Sequence, residues 1–166
     1  MSNIRVLVLM GSDSDAPTMQ AAVDVLDEFQ IPCEMTVASA HRSPERVMRL
    51  VAEAPGRGVK VFIVGAGAAA HLAGVVAAHT TVPVIGVPID SSALKGLDAL
   101  LSTVQMPPGV PVATVSIGKP GATNAGVLAA QILALADPAI ADRLNDYKRK
   151  LADKVEAAAA KIARST

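Results

Sequence analysis

The sequence predicts an α/β fold with a parallel sheet covered by helices on both faces, on three grounds. Apolar, β-rich runs alternate with helix-capable segments from one end of the chain to the other. The runs are almost continuously apolar, as strands buried on both faces are. Hydrophobic residues make up 51% of the chain and charged residues 18%, a balance that supports a large core and argues against disorder. At 166 residues the expectation is a single domain spanning 1–166.

Taken in order, the first strand is expected over Ile4–Met10 and the first helix over Ala16–Gln30. A second strand follows at Cys33–Ala38. Its helix, Pro44–Ala54, opens with Ser43 as the expected N-cap and Pro44 in the first turn, where a missing N–H costs nothing. The third strand is placed at Lys60–Val64 and the next helix at Ala69–Ala78. Together they form the apolar stretch Val61–Ala78, long enough to suggest a membrane span. Gly65, Gly67 and His71 interrupt that stretch, and its β-branched run followed by an alanine-rich run reads instead as a buried strand feeding a helix. A fourth strand at Val82–Val87 leads to a helix at Ser91–Ser102. Met106–Pro111, with Pro107, Pro108, Gly109 and Pro111, reads as an ordered turn before the fifth strand, Val112–Ile117, and the helix Gly121–Ala136. The long final helix is expected over 138–164, with one apolar stripe of Ile140, Leu144, Tyr147, Leu151, Val155 and Ile162. Such a helix packs either across its own domain or against a neighbouring subunit.

Composition excludes several functions. Fifteen basic residues balance fifteen acidic ones and aromatics are 2% of the chain, leaving neither a net field nor stacking platforms for nucleic acid. Cys33 stands alone, so no intramolecular disulfide is expected, and the first residues lack a signal-peptide layout; the expected location is cytoplasmic. His79 has no spacing partner and no Cys/His cluster occurs, so neither a metal nor another cofactor is expected.

In open α/β sheets ligands bind beyond the carboxyl ends of the strands, which directs attention to the loops there. Gly11-Ser12-Asp13-Ser14-Asp15 combines a flexible glycine, two hydroxyls, two carboxylates and the start of a helix. Its residues suit an N-cap equally well as an oxyanion or phosphate site, and Asp15 suits sugar hydroxyls. Ser39-Ala40-His41-Arg42-Ser43-Pro44 places a proton-transfer group beside a fixed cation, a pairing suited to phosphate chemistry; solvated surface residues are the plain alternative. Gly65-Ala66-Gly67-Ala68-Ala69-Ala70-His71 matches the loose dinucleotide fingerprint, with Asp90 near the distance of a ribose-binding acid. The match falls after the third strand rather than the first, so close strand–helix packing explains the glycines as well. Gly118-Lys119-Pro120-Gly121 lacks the upstream glycine and following hydroxyl of a P-loop, which argues against an ATPase.

Gly11-Ser12-Asp13-Ser14-Asp15, Ser39-Ala40-His41-Arg42 and Gly65-Ala66-Gly67-Ala68-Ala69-Ala70-His71-Leu72, in this order and spacing, resemble the PurE family of purine biosynthesis. Pro83-Val84-Ile85-Gly86-Val87-Pro88, Val104-Gln105-Met106-Pro107, Ile117-Gly118-Lys119 and Asn124 through Leu133 extend the resemblance over nearly the whole chain. It implies a three-layer α/β/α, flavodoxin-like subunit with a long C-terminal helix, assembled as a homo-octamer in which those helices embrace neighbours. The implied class I activity converts N5-carboxyaminoimidazole ribonucleotide (N5-CAIR) to 4-carboxy-5-aminoimidazole ribonucleotide (CAIR) by decarboxylation and recapture of CO2 at C4.

Position by position, the resemblance makes His41 the general acid and base. Gly11, Ser12 and Asp15 then bind the ribonucleotide, and Arg42 with Ser14 and Ser39 grips its phosphate. Ala66 and Gly67 belong to the loop that holds the migrating carboxyl group, with His71 and Leu72 shaping its wall. Two positions depart from the family pattern: Ala68, where it usually has Gly, and Ala73, where it usually has Pro. A methyl at 68 would narrow the carboxylate pocket if it pointed inward. Two rival functions are direct carboxylation of aminoimidazole ribonucleotide by CO2, the class II reaction, and non-catalytic nucleotide binding by a flavodoxin-like module.

Overall fold

The computed structural model describes residues 4–163. Five strands, β1 (Val6–Met10), β2 (Cys33–Val37), β3 (Val61–Gly67), β4 (Val84–Ile89) and β5 (Ala113–Thr114), form one sheet in the order β2-β1-β3-β4-β5. Every neighbouring pair is parallel. Six helices connect and cover it: α1 (Ala16–Glu28), α2 (Pro44–Glu53), α3 (Leu72–Ala78), α4 (Leu97–Val104), α5 (Gly118–Ala134) and α6 (Pro138–Ala163).

Side-chain alternation along the strands divides the core between the two faces. Val6, Val8 and Met10 of β1 join Met19, Val25 and Leu26 of α1 and Ala122, Ala125 and Ala129 of α5. Leu7 and Leu9 face the other way, joining Val47 and Leu50 of α2, Leu72 and Val76 of α3, and Ala99 of α4. The result is the expected three-layer α/β/α arrangement. Between α1 and α5 the approach is close enough that a Cβ on Gly126 would stand 2.9 Å from both the Ala22 carbonyl oxygen and the Val25 Cβ.

The chain runs from β1 outward to β2, then returns across β1 to lay down β3 on its other side. Strand order reverses between β1 and β3, so their carboxyl ends diverge into the crevice where such sheets take their ligands.

Several boundaries differ from expectation, each for a local reason. β3 continues through Gly65, Ala66 and Gly67, which pair with Val87, Pro88 and Ile89 of β4, so the first part of the glycine segment is strand rather than loop. α3 begins at Leu72 instead of Ala69 because Ala68 takes a left-handed φ of 52°, which no helix continues. α4 begins at Leu97 instead of Ser91, since Lys95 and Gly96 also have positive φ. β5 is an edge strand only two residues long, and the chain leaves the sheet before α5 starts at Gly118. Ser43 precedes α2 without capping it: its hydroxyl donates to the Ser39 carbonyl at 3.3 Å instead. Met106–Pro111 does form an ordered turn, with the Val110 N–H donating to Pro107. α6 matches its expected span as far as Ala163; residue 164 lies outside the described residues. Val61–Ala78 is divided between β3 and α3, and among the described residues no helix is long and apolar enough to cross a membrane.

Candidate active site

Beyond Met10 the chain turns sharply, and the Gly11 N–H donates to the Gly65 carbonyl, tying the first loop to β3. Ser12 then opens a short 3-10 turn, Asp13–Asp15, through a reciprocal box. Its hydroxyl accepts from the Ser14 N–H at 3.4 Å, while Asp15 Oδ2 accepts from the Ser12 N–H at 3.1 Å. The capping explanation of this loop is therefore correct, yet incomplete. Ser12, Ser14 and Asp15 also line a cleft of about 320 Å³, so one set of side chains shapes the loop and faces the cavity.

Asp15 is 6% exposed, and burial raises its carboxyl above the usual carboxylate range. The Ser12 N–H and the Arg42 guanidinium oppose that rise, and Asp13 adds to it. Arg42 links the first two loops: its Nη2 donates to the Gly11 carbonyl at 2.7 Å and its Nε to Ser39 Oγ at 3.3 Å. Ser39 Oγ also accepts from the Arg42 backbone N–H, so both residues are held from two sides. A guanidinium fixed in this way keeps further donors for an anion at little entropic cost.

His41 reaches over the cleft to the third loop. Its Nε2 lies 3.0 Å from Nδ1 of His71, with the rings edge-to-face at 83° and centroids 5.1 Å apart. One ring nitrogen must donate and the other accept, so the pair shares a proton position at the cleft edge. His71 itself sits at the start of α3 with no capping bond, touching His41 rather than lining the cavity. Ala66, Gly67 and buried Leu72 form the opposite wall.

The structure thus brings Gly11, Ser12, Ser14, Asp15, Ser39, His41, Arg42, Ala66, Gly67 and Leu72 around one cleft, with His71 attached through His41. Ala40, Ala69 and Ser91 complete the lining; Ala69 belongs to the glycine segment expected to hold the carboxyl group, whereas Ala40 and Ser91 had no expected role. Ser91 had a usable signal: it lies two residues past the carboxyl end of β4.

The dinucleotide reading of the glycine segment loses its basis, because both glycines lie within β3 rather than in a strand-to-helix turn. A Cβ on Gly65 would collide with the Met19 thioether at 2.3 Å, so this glycine serves packing with α1. Asp90 neighbours Gly96 and Gly118 and does not line the cleft, and Gly118-Lys119 forms the first turn of α5. Ala68 is also absent from the lining, so its methyl does not narrow the cavity.

A tethered guanidinium and a hydrogen-bonded histidine pair at one cleft suit a phosphorylated substrate that exchanges a proton. Comparison with known proteins agrees in kind. The family model described as AIR carboxylase matches residues 5–154. The N5-carboxyaminoimidazole ribonucleotide mutase of Bacillus subtilis (strain 168) is 57% identical over 141 residues, covering 85% of this chain and 87% of that protein. The protein of the same name from Mycobacterium tuberculosis (strain CDC 1551 / Oshkosh) is 54% identical over 160 residues, 96% of this chain and 91% of that one. The crystal structure of Treponema denticola PurE is similar with a TM-score of 0.84 at 32% identity, over 94% of this chain and 96% of that one.

Proposed function

The chain belongs to the AIR carboxylase (PurE) family, and from that premise we propose that it is an N5-CAIR mutase, an isomerase that moves a carboxyl group from the exocyclic nitrogen to C4 of the imidazole. The observation that carries the proposal to this chain's own residues is the meeting of His41 with Ser12, Asp15 and Arg42 around one cleft.

Arg42, Ser14 and Ser39 hold the phosphate, while Gly11, Ser12 and Asp15 hold the ribose. This grip fixes the imidazole at the far end of the cleft, beside His41. The carbamate N–C bond breaks with its electron pair remaining on nitrogen, and protonated His41 supplies the proton that nitrogen then needs. CO2 stays in the pocket walled by Ala66, Gly67 and Leu72, with His71 reaching it only through His41. C4 of the ring donates an electron pair to the CO2 carbon, forming the new C–C bond, and neutral His41 removes the C4 proton to restore aromaticity. One proton leaves C4 and one arrives at nitrogen, so the cycle balances and His41 returns to its starting state. Water exclusion matters because released CO2 must meet C4 before solvent.

His41→Asn keeps a hydrogen-bonding side chain and removes the proton carrier. Turnover of N5-CAIR is expected to fall by at least about a hundredfold with ribonucleotide affinity little changed, measured by stopped assay and by calorimetric titration. Near-normal turnover with intact binding would overturn the role of His41. The substrate and product are charged ribonucleotides, which fits a cytoplasmic enzyme. The assembly proposed with this function is a homo-oligomer, an octamer, with the distal part of α6 packed on neighbouring subunits.

A further inference from the structure

We infer that Ser91 is a substrate-binding residue whose hydroxyl holds the carboxyl group while it moves between nitrogen and carbon. The inference rests on the mutase reading and assigns a role that the motifs leave open.

Ser91 lines the cleft from the second position beyond β4. Its side chain stands over Gly67: a Cβ built there would lie 1.7 Å from Ser91 Oγ and 2.8 Å from Ser91 Cβ. Gly67 has an ordinary negative φ, so its lack of a side chain is not needed for backbone conformation. The space it leaves is occupied by the serine hydroxyl. Ser91 is exposed and its hydroxyl makes no hydrogen bond among the described residues, so it is free to donate to a ligand.

The sheet order gives the placement chemical meaning. The phosphate grip of Ser39 and Arg42 follows β2, at one edge, whereas Ser91 follows β4, three strand positions away. At the usual strand spacing of about 4.8 Å this is a separation of about 14 Å, comparable with the length of a ribonucleotide bound end to end. A substrate anchored by phosphate at β2 thus presents its ring toward β3 and β4. On that side the lining is Ala66, Gly67, Ala69 and Leu72, and Ser91 supplies its one side-chain donor. A carboxylate leaving water for this apolar wall requires a donor.

Ser91→Ala removes the hydroxyl and breaks no bond within the chain. CAIR and aminoimidazole ribonucleotide, which differ by the carboxyl group, are titrated into wild type and variant, and turnover is followed by product analysis. The expected result is CAIR affinity weakened about tenfold, the low end for a lost hydrogen bond to a charged group, with aminoimidazole ribonucleotide affinity within about twofold of wild type. Turnover should also release a larger share of free aminoimidazole ribonucleotide and CO2. Equal loss for both ligands would mean a merely structural role, and unchanged affinity for both would mean none; either overturns the inference while leaving the mutase reading intact. A wild-type chain that binds these ribonucleotides and interconverts none of them would instead overturn the mutase reading and this inference together.

Discussion

Burial raises the Asp15 carboxyl because the charged form loses water that the Ser12 N–H and Arg42 only partly replace. A carboxylate with a raised folded pKa makes the folded state bind its proton more tightly than the unfolded state does. Its charged form therefore costs stability above the folded pKa, and the cost is relieved as pH falls through that value. Asp15→Asn keeps an oxygen acceptor for the Ser12 N–H and removes the charge. At pH 7 the variant should melt at the same temperature or about 2 °C higher, with the difference from wild type shrinking toward pH 4, and it should bind ribonucleotide about tenfold more weakly. A melting point several degrees lower at pH 7 would show that the carboxylate is a net stabiliser. The same residues show what sequence can and cannot reveal. Ser12, Asp15, His41 and Arg42 were legible because charged and hydroxyl side chains cluster at strand ends in numbers greater than capping alone requires. Ser91 carries no charge and lies in no motif, and its significance depends on the missing Cβ of Gly67, a contact visible only once β3 and β4 are paired.

At the scale of elements, alternation of apolar runs with helix formers was enough to predict the layers, whereas most misplaced boundaries trace to residues whose backbone runs against their side-chain preference. Glycine is disfavoured in strands, so Gly65 and Gly67 read as loop; pairing with Val87 and Ile89 and the approach of Met19 and Ser91 override that preference. Alanine favours helix, so the alanines from Ala69 read as the start of the helix; the φ of 52° at Ala68 instead delays α3 until Leu72. Close packing of α1 on α5 likewise depends on one glycine. Gly126→Ala would press a methyl against the Ala22 carbonyl and Val25 from 2.9 Å, forcing the helices apart at a cost of about 1–3 kcal/mol. Gly56 is the internal control, since it has no atom within 4 Å of a new Cβ and no positive φ. Gly56→Ala should be neutral or stabilising by up to about 1 kcal/mol. Urea denaturation of both variants separates the two effects, and equal midpoints would show that α1 and α5 relax around the added methyl without cost.

Across the whole molecule, α6 is the element that the rest of the chain does not fully use. Its 26 residues extend for about 39 Å. The first part is anchored: Ile140 is buried, Tyr147 packs edge-to-face on Phe29 with centroids 5.3 Å apart, and Arg143 donates to the Phe29 carbonyl and to Gln30. From residue 148 onward every described residue is exposed, including Leu151 at 44% and Val155 at 67%. A helix of that length without packing is marginal in water, and its apolar stripe continues as though it had a surface to meet. On the opposite layer, Leu97 and Leu101 of α4 are each about half exposed, a second apolar face of the kind that subunit contacts cover. The proposed octamer would bury such faces. Light scattering on wild type at tens of micromolar should therefore report a closed multiple of the 16.9 kDa chain. Leu151→Glu with Val155→Glu should shift the mass toward smaller species while circular dichroism shows the total helix content retained, because glutamate is itself a good helix former. A monomeric wild type would remove the assembly proposal and leave α6 as a helix anchored to its own subunit as far as the Lys150–Glu28 pair.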